Sequence, residues 1–410
     1  MSKMMNVKKL VLWLVAIMLC SFALAAAAQF ISGGADAFTK PGFIIQGKHT
    51  IDIDETKTLD MEGLENLDIF STSTDINIIS TNDSTIKAHL YGQISCSNKN
   101  YFPTLEAKQS GRNGEIRITW PEVITVGYLN SNVNMDLYLP KAYQQNLSLK
   151  VSSAEILFEE LTLKNFYCTS TSGDLTGKLA ITENTVFNTS SGIYEVNVQA
   201  QNSFTMESTS GDLKSTRVEA ENFSRKSSSG FTKIDTLNCT DFSFESTSGD
   251  LTVKAIQATN SKVDTSSGIL NLAGESVQKA ELSSTSGDIT WKDLNAKETT
   301  ISTSSGATVL TGLMGSLKLE SSSGDADIQF STLKGKAILK ASSGQMKLRL
   351  PETAEFELDC TTNSGVINVN DFKLLVQGEV SEDQLSGTVG SNQNRVKIET
   401  SSGDIILLKN

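Results

Sequence analysis

The chain has 410 residues, with 47 acidic against 35 basic side chains and a formal charge of −12. That balance excludes the basic footprint a nucleic-acid partner requires, and it excludes simple electrostatic docking onto anionic lipid. Hydrophobic residues make up 38% of the chain, too many for a disordered polar tract. Only 7% is aromatic and Ser, Thr and Gly abound, a mixture that disfavours helix. Thin apolar strands separated by small polar turns are expected.

Residues 1–35 set the compartment. Lys3, Lys8 and Lys9 precede an uncharged run from Leu10 to Ala35. The run reads either as a cleaved signal peptide, with Ala-x-Ala sites ending at Ala25, Ala27 or Ala28, or as a signal-anchor transmembrane helix. Either reading exports residues 36–410, to stay membrane-anchored with the repeats outside the cytoplasm or to be released at the cell surface. Cys20 is a poor lipidation site, because Leu19 stands where a small residue is wanted.

Residues 36–150 are rich in strand patterns, among them HTIDID, NLDIF, DINIIS, EIRITW and MDLYLP. The segment STSTDINI, residues 71–78, resembles a diverged turn and strand. This region is expected to form a β-rich cap.

Residues 151–350 carry an internal repeat, the strongest signal in the chain. The strings TSTSGDL, NTSSGI, STSGDL, SSSGF and their successors place glycines at Gly173, Gly192, Gly211, Gly230, Gly249, Gly268, Gly287 and Gly306, each interval being 19 residues. The series continues less evenly at Gly324, Gly344 and Gly365 and reaches Gly403 in TSSGDI. Ala154 in SSAEI occupies the degenerate first copy. Apolar and polar residues alternate on both sides of each turn: Phe242, Phe244, Leu251, Val253 and Ile256 around Gly249, and Ala280, Leu282, Ile289, Trp291 and Leu294 around Gly287. No proline interrupts the chain between Pro140 and Pro351. One 19-residue unit cannot bury a core, whereas stacked units can. Parallel crossovers are right-handed in nearly every case. The prediction is an all-β, right-handed parallel β-helix, or solenoid, with 19-residue coils. Gly can take positive φ in such a turn, and the small hydroxyls before it can bond local backbone groups.

A second period lies above the first. Asp174, Asp212, Asp250, Asp288 and Asp325 follow their glycines, and the copies between them carry Ile193, Phe231, Ile269 and Ala307. The full repeat is therefore 38 residues, with a candidate surface row of carboxylates on alternate coils. Like charges about 4.8 Å apart in water repel by roughly 0.9 kcal/mol, so alternation is expected to relieve a charge ladder. Residues 351–410 are read as irregular terminal repeats and a C-terminal cap.

Chemistry is sparse. His49 and His89 both lie outside the repeat, which leaves the many serines without the positioned base of a catalytic triad. A uniform Asp row gives every carboxylate one environment, whereas a catalytic pair needs two. One carboxylate per alternate coil is also far from the six to eight oxygens of a calcium site. Cys96, Cys168, Cys239 and Cys360 are far apart and form no disulfide framework. Cys168 and Cys360 occupy a slot filled elsewhere by Phe187, Met206, Phe244, Val263, Leu282 and Ile301, and so are expected as small buried hydrophobes. No catalytic, cofactor-binding or metal-ligating residues are assigned.

STSTDINI, the stretch MDLYLPKAYQQNLSLKVSSAEI, the TSTSGDL copies and the closing TSSGDI resemble a bacterial family of unknown function. It is labelled putative adhesin and is related to the head-domain auto-transporter adhesins. The resemblance implies a non-enzymatic extracytoplasmic module for surface binding or scaffolding, with an envelope glycan or protein as partner. It also implies an alternative, a membrane-anchored accessory of a cell-envelope stress response. A polysaccharide-active enzyme is a third reading. The family implies no catalytic residues.

Overall fold

The computed structural model describes residues 49–121, 129–369, 371–376 and 381–410. The apolar segment with Cys20 lies outside them, and no helix among the described residues is long and apolar enough to cross a membrane. Those residues form an all-β solenoid of right-handed type, about 11 turns with coils of about 19 residues. The turns run in chain order from Ala154 to Gly344.

Register follows directly from the period. Asn184–Thr189 pairs in parallel with Ser203–Ser208, Phe187 opposite Met206. Asp212–Ser227 pairs with Thr232–Ser246, Phe223 opposite Phe242 and Arg225 opposite Phe244. A slip of one residue would turn every apolar side chain outward, so the alternating pattern enforces the pairing. The side chains named above around Gly249 and Gly287 all point inward and are buried. Phe187, Phe204, Phe223 and Phe242 form a column through four coils, with ring centroids 5.2–5.7 Å apart. Such pairs add about 0.5–1.5 kcal/mol beyond the area they bury.

Both ends depart from chain order in the same way. Near the N-terminus, Asn66–Ser71 lies between Asn113–Thr119 and Asn146–Val151. The following strand, Asp75–Thr81, lies between Leu129–Pro140 and Ile156–Phe158. STSTDINI is thus a full coil of the stack. At the other end Arg395–Ser402 is held between Ala326–Ser343 and Phe356–Thr362. Ile405–Lys409 is likewise held between Met346–Leu350 and Ile367–Asn368. The closing TSSGDI coil is last in sequence but one layer in from the end. Intercalation gives each of these coils a ladder on both edges, where a terminal strand would otherwise fray.

The outermost layers are closed by antiparallel strands. His49–Asp60 pairs with Thr85–Cys96, which pairs with Leu129–Pro140. Thr104–Ser110 covers Asn113–Thr119, and Gln384–Val389 covers Phe356–Thr362. Covering the ends in this way limits the free edges on which solenoids would otherwise polymerise.

Candidate binding surface

At Gly249, Gly268, Gly287 and Gly324 the turn is built by a small hydroxyl three residues before the glycine. Ser284 Oγ receives the Gly287 N–H at 2.9 Å and lies 3.0 Å from the Gly287 carbonyl. Ser246 and Thr265 receive the N–H of Gly249 and Gly268 at 2.7 and 3.1 Å. The turns also bond to one another. Ser210 N donates to Ser190 O, Ser229 N to Thr209 O and Ser248 N to Ser228 O, at 2.7–2.8 Å. The hydroxyl-rich turns therefore stack as tightly as the strands do.

The glycines are required mainly by this stacking. A Cβ on Gly268 or Gly287 would lie 2.0 Å from the carbonyl oxygen of the preceding turn glycine, and one on Gly324 would lie 2.1 Å from that of Gly306. Positive φ is confined to alternate copies: Gly192 (119°), Gly230 (95°), Gly306 (106°) and Gly344 (111°). Gly211, Gly249, Gly287 and Gly324 lie outside that region, as does Gly268, which breaks the alternation. Positive φ therefore serves only some of the turns. Gly173, Gly365 and Gly403 also lie outside it, and each faces a carbonyl of a neighbouring coil.

The aspartates explain the 38-residue period. Asp174 Oδ1 accepts the backbone N–H of Ile193 at 2.6 Å, Asp212 that of Phe231 at 2.9 Å and Asp250 that of Ile269 at 2.9 Å. Asp288 does the same for Ala307 and Asp325 for Gln345, at 2.8 and 2.7 Å. The device extends to the ends, where Asp404 accepts from Val366 and Asp75 from Glu155. At Asp212 the corresponding N–H goes to backbone instead, donating to Gly192 O at 2.9 Å. Each carboxylate thus supplies the acceptor for the next coil, a more specific reason for alternation than relief of repulsion. Between the aspartates, Ile193 is 38% and Ile269 48% exposed.

Sequence reasoning missed an amide ladder on a neighbouring face. Asn66 Nδ2 donates to Asn113 Oδ1, Asn146 to Asn66, Asn165 to Asn146 and Asn184 to Asn165, at 2.8–3.1 Å. Ser203 continues it to Asn184 at 2.8 Å. The signal was present, since Asn146, Asn165 and Asn184 recur at the repeat spacing.

The remaining titratable groups are dispersed. His89 Nε2 is 2.8 Å from Asp54 Oδ1 across an antiparallel strand pair, and His49 begins the strand His49–Asp60. Cys96, Cys168 and Cys360 are buried and Cys239 is half-buried, all as free thiols. Burial pushes the Cys168 thiol up to about 12 against a hydrogen bond with Tyr194. Burial, with Asp359 beside it, does the same to Cys360. Among the described residues no three His, Cys, Asp or Glu side chains gather into a metal site. Arg225 is fully buried with five hydrogen bonds to hydroxyls and carbonyls. Burial lowers its pKa to about 10, partly offset by Asp212. A cleft of about 840 Å³ opens beside the first coils, lined in part by Ile79, Lys141, Glu159, Glu160 and Thr162.

A stacked, hydroxyl-turned solenoid of this design defines a class of repeat protein. The family model described as Toastrack DUF4097 matches residues 64–230, 196–293 and 276–408. The chain belongs to that family, and the overlapping matches follow its internal repetition. No curated protein matches it. Among solved structures it is similar to a putative cell adhesion protein from Clostridium sporogenes, at 13% identity and a TM-score of 0.21, over 88% of this chain and 100% of that one. It is also similar to a putative adhesin from Bacteroides fragilis, at 15% identity and a TM-score of 0.34, over 58% of this chain and 98% of that one.

Proposed function

We propose that the protein is a non-enzymatic surface-binding or scaffold module exported from the cytoplasm, displaying its solenoid at the cell envelope. The carrying observation is the Asp row. Five carboxylates along the regular stack are each spent on a backbone N–H of the next coil. They share one role, where acid–base chemistry needs two unlike environments. Charge and hydroxyls are thereby repeated along an extended face, an arrangement suited to a long ligand met at many weak points. An envelope glycan or an envelope protein would serve as that ligand.

The test uses residues 36–410 as a soluble protein, measured for binding to intact cells, to isolated cell wall and to a glycan array. Saturable binding supports the module reading. If activity instead requires residues 1–35 in a membrane, the accessory role in an envelope stress response takes its place. The uncharged run from Leu10 to Ala35 is what favours that second reading.

A further inference from the structure

The amide ladder is saturated at Asn165 and open towards Asn113. An asparagine amide carries two N–H donors and two acceptor lone pairs. At Asn165 all four are used: Nδ2 donates to Asn146 Oδ1 and Glu183 Oε2, and Oδ1 accepts from the backbone and side-chain N–H of Asn184, at 2.9–3.1 Å. Asn146 and Asn66 each give one hydrogen bond and receive one, which leaves a donor and a lone pair on each amide. Asn113 only receives, from Asn66, and neither of its side-chain N–H groups has a partner among the described residues. The unused capacity therefore gathers at Asn113, Asn66 and Asn146.

These three amides form one wall of a groove of about 500 Å³, a size within the range of small-ligand sites. Register sets the other wall. Asp68 stands two residues beyond Asn66, Ser148 two beyond Asn146 and Tyr167 two beyond Asn165, on the same face of paired strands. The walls are thus about 6.6 Å apart, and each advances by about 4.8 Å per coil. Tyr167, 39% exposed, stands at the end where the ladder is saturated. Its hydroxyl and that of Ser148 have no partner among the described residues. Charge in the groove is answered: Asp68 Oδ1 lies 3.4 Å from Lys150 Nζ, and among the described residues no lysine, arginine or histidine lines it.

Each feature selects against a class of ligand. A groove without cations gives an anion no counter-charge. A lining whose one aliphatic residue, Leu67, is fully buried gives a lipid nothing to cover. What fits is an uncharged molecule that both donates and accepts at every step and has an apolar face for the Tyr167 ring. A pyranose carries hydroxyls around its rim and C–H bonds on its faces, and such a face packs on an aromatic ring. A β-1,4-linked chain is extended and flat, so its successive rings can follow the ladder.

We infer that the groove binds a neutral β-1,4-linked oligosaccharide, one ring stacked on Tyr167 and the next held by the amides of Asn146, Asn66 and Asn113. This rests on the glycan form of the proposed function and gives it a place on the molecule.

The probes are chitotetraose and cellotetraose, each titrated into the protein and followed by calorimetry. The expected result is saturable binding of at least one, with a Kd of about 1 mM or tighter. Tyr167→Ala should weaken it at least tenfold, and Tyr167→Phe, which keeps the ring, no more than threefold. Asn113→Asp keeps the oxygen that Asn66 bonds and removes both free N–H groups. It should weaken binding at least threefold with the melting temperature unchanged, and it decides the matter if Tyr167→Ala fails to fold. Absence of saturable binding by either sugar overturns the inference, as does binding indifferent to both Tyr167→Ala and Asn113→Asp. A Gln-rich heptapeptide that binds and is lost with Tyr167→Ala, where neither sugar binds, would assign the groove to protein instead. Cell-wall binding retained by both variants would sink the inference and leave the module reading standing. Sugar binding in the groove without binding to cells or wall would do the reverse.

Discussion

Asp212 and Phe231 are 19 residues apart in sequence and one coil apart in space, and the carboxylate of the first accepts the backbone N–H of the second at 2.9 Å. The bond turns a statistical feature, Asp on alternate copies, into a mechanical one. In the copies without Asp this donor is served by a side chain from the coil before.

That role predicts the sign of a substitution. Asp250→Ala should destabilise the protein by about 1–2 kcal/mol, because Ile269 N–H loses a charged acceptor. Asp250→Asn keeps an oxygen in place and should cost less than half as much. If the row mattered only through mutual repulsion, both changes would raise stability. Urea unfolding of the two variants beside the parent decides between them.

The glycine row makes a separate prediction. At Gly287 no left-handed conformation is involved, yet a Cβ would lie 2.0 Å from Gly268 O. Gly287→Ala should therefore cost about 2–3 kcal/mol by forcing coils apart. The contrast is Gly63, where nothing lies within 4 Å of the added atom; alanine there pays only for its φ of 71°, about 1 kcal/mol. Comparable losses at the two sites, measured by thermal unfolding, would contradict the stacking argument.

What could be read from the chain alone divides along physical lines. Inward positions such as Phe244, Leu251 and Trp291 were legible because alternation around a fixed turn determines which face is buried. The acceptor role of the Asp row was not, since a residue's partner one coil away depends on backbone orientation that no local pattern expresses. The Asn146–Asn165–Asn184 ladder carried the same 19-residue signature as the glycines, and only the emphasis on turns hid it. The intercalated ends were illegible for another reason. STSTDINI and TSSGDI satisfy the pairing pattern equally well in any layer, so sequence order is the natural but mistaken guess.

The thiols give a pH-dependent test. Cys168, Cys239 and Cys360 are each pushed up to about 12, chiefly by burial. The thiolate is the reactive form, so none of the three should be alkylated by iodoacetamide at pH 8 in the folded protein, and all should react in guanidinium. The same shifts bear on stability. An unfolded thiol ionises near pH 8.5–9 while the folded one keeps its proton, so the native state binds more protons between those values. Stability contributed by these groups is complete below pH 8.5 and is lost as pH rises towards 12. Melting temperatures recorded from pH 7 to 10.5 should fall on the alkaline side, and Cys168→Ala should flatten part of that slope.

Arg225 offers the sharpest test of how the core tolerates charge. It stands opposite Met206 and Phe244 in neighbouring coils. Its guanidinium reaches Thr232 Oγ1, Ser208 Oγ and the carbonyls of Met206, Gly211 and Lys226 at 2.7–3.4 Å. No carboxylate is among these hydrogen-bond partners, although Asp212 acts on the charge through space, and trading a buried charge for a well-packed apolar side chain recovers its desolvation cost. Arg225→Met, which restores the residue type of the adjoining coil, should therefore change stability by less than about 1.5 kcal/mol. Arg225→Lys keeps the charge but cannot span five acceptors from one ammonium, and it should cost about 3 kcal/mol or more. The order of the two melting temperatures is the readout. A lysine variant as stable as the methionine one would mean that the guanidinium network does not hold these coils together.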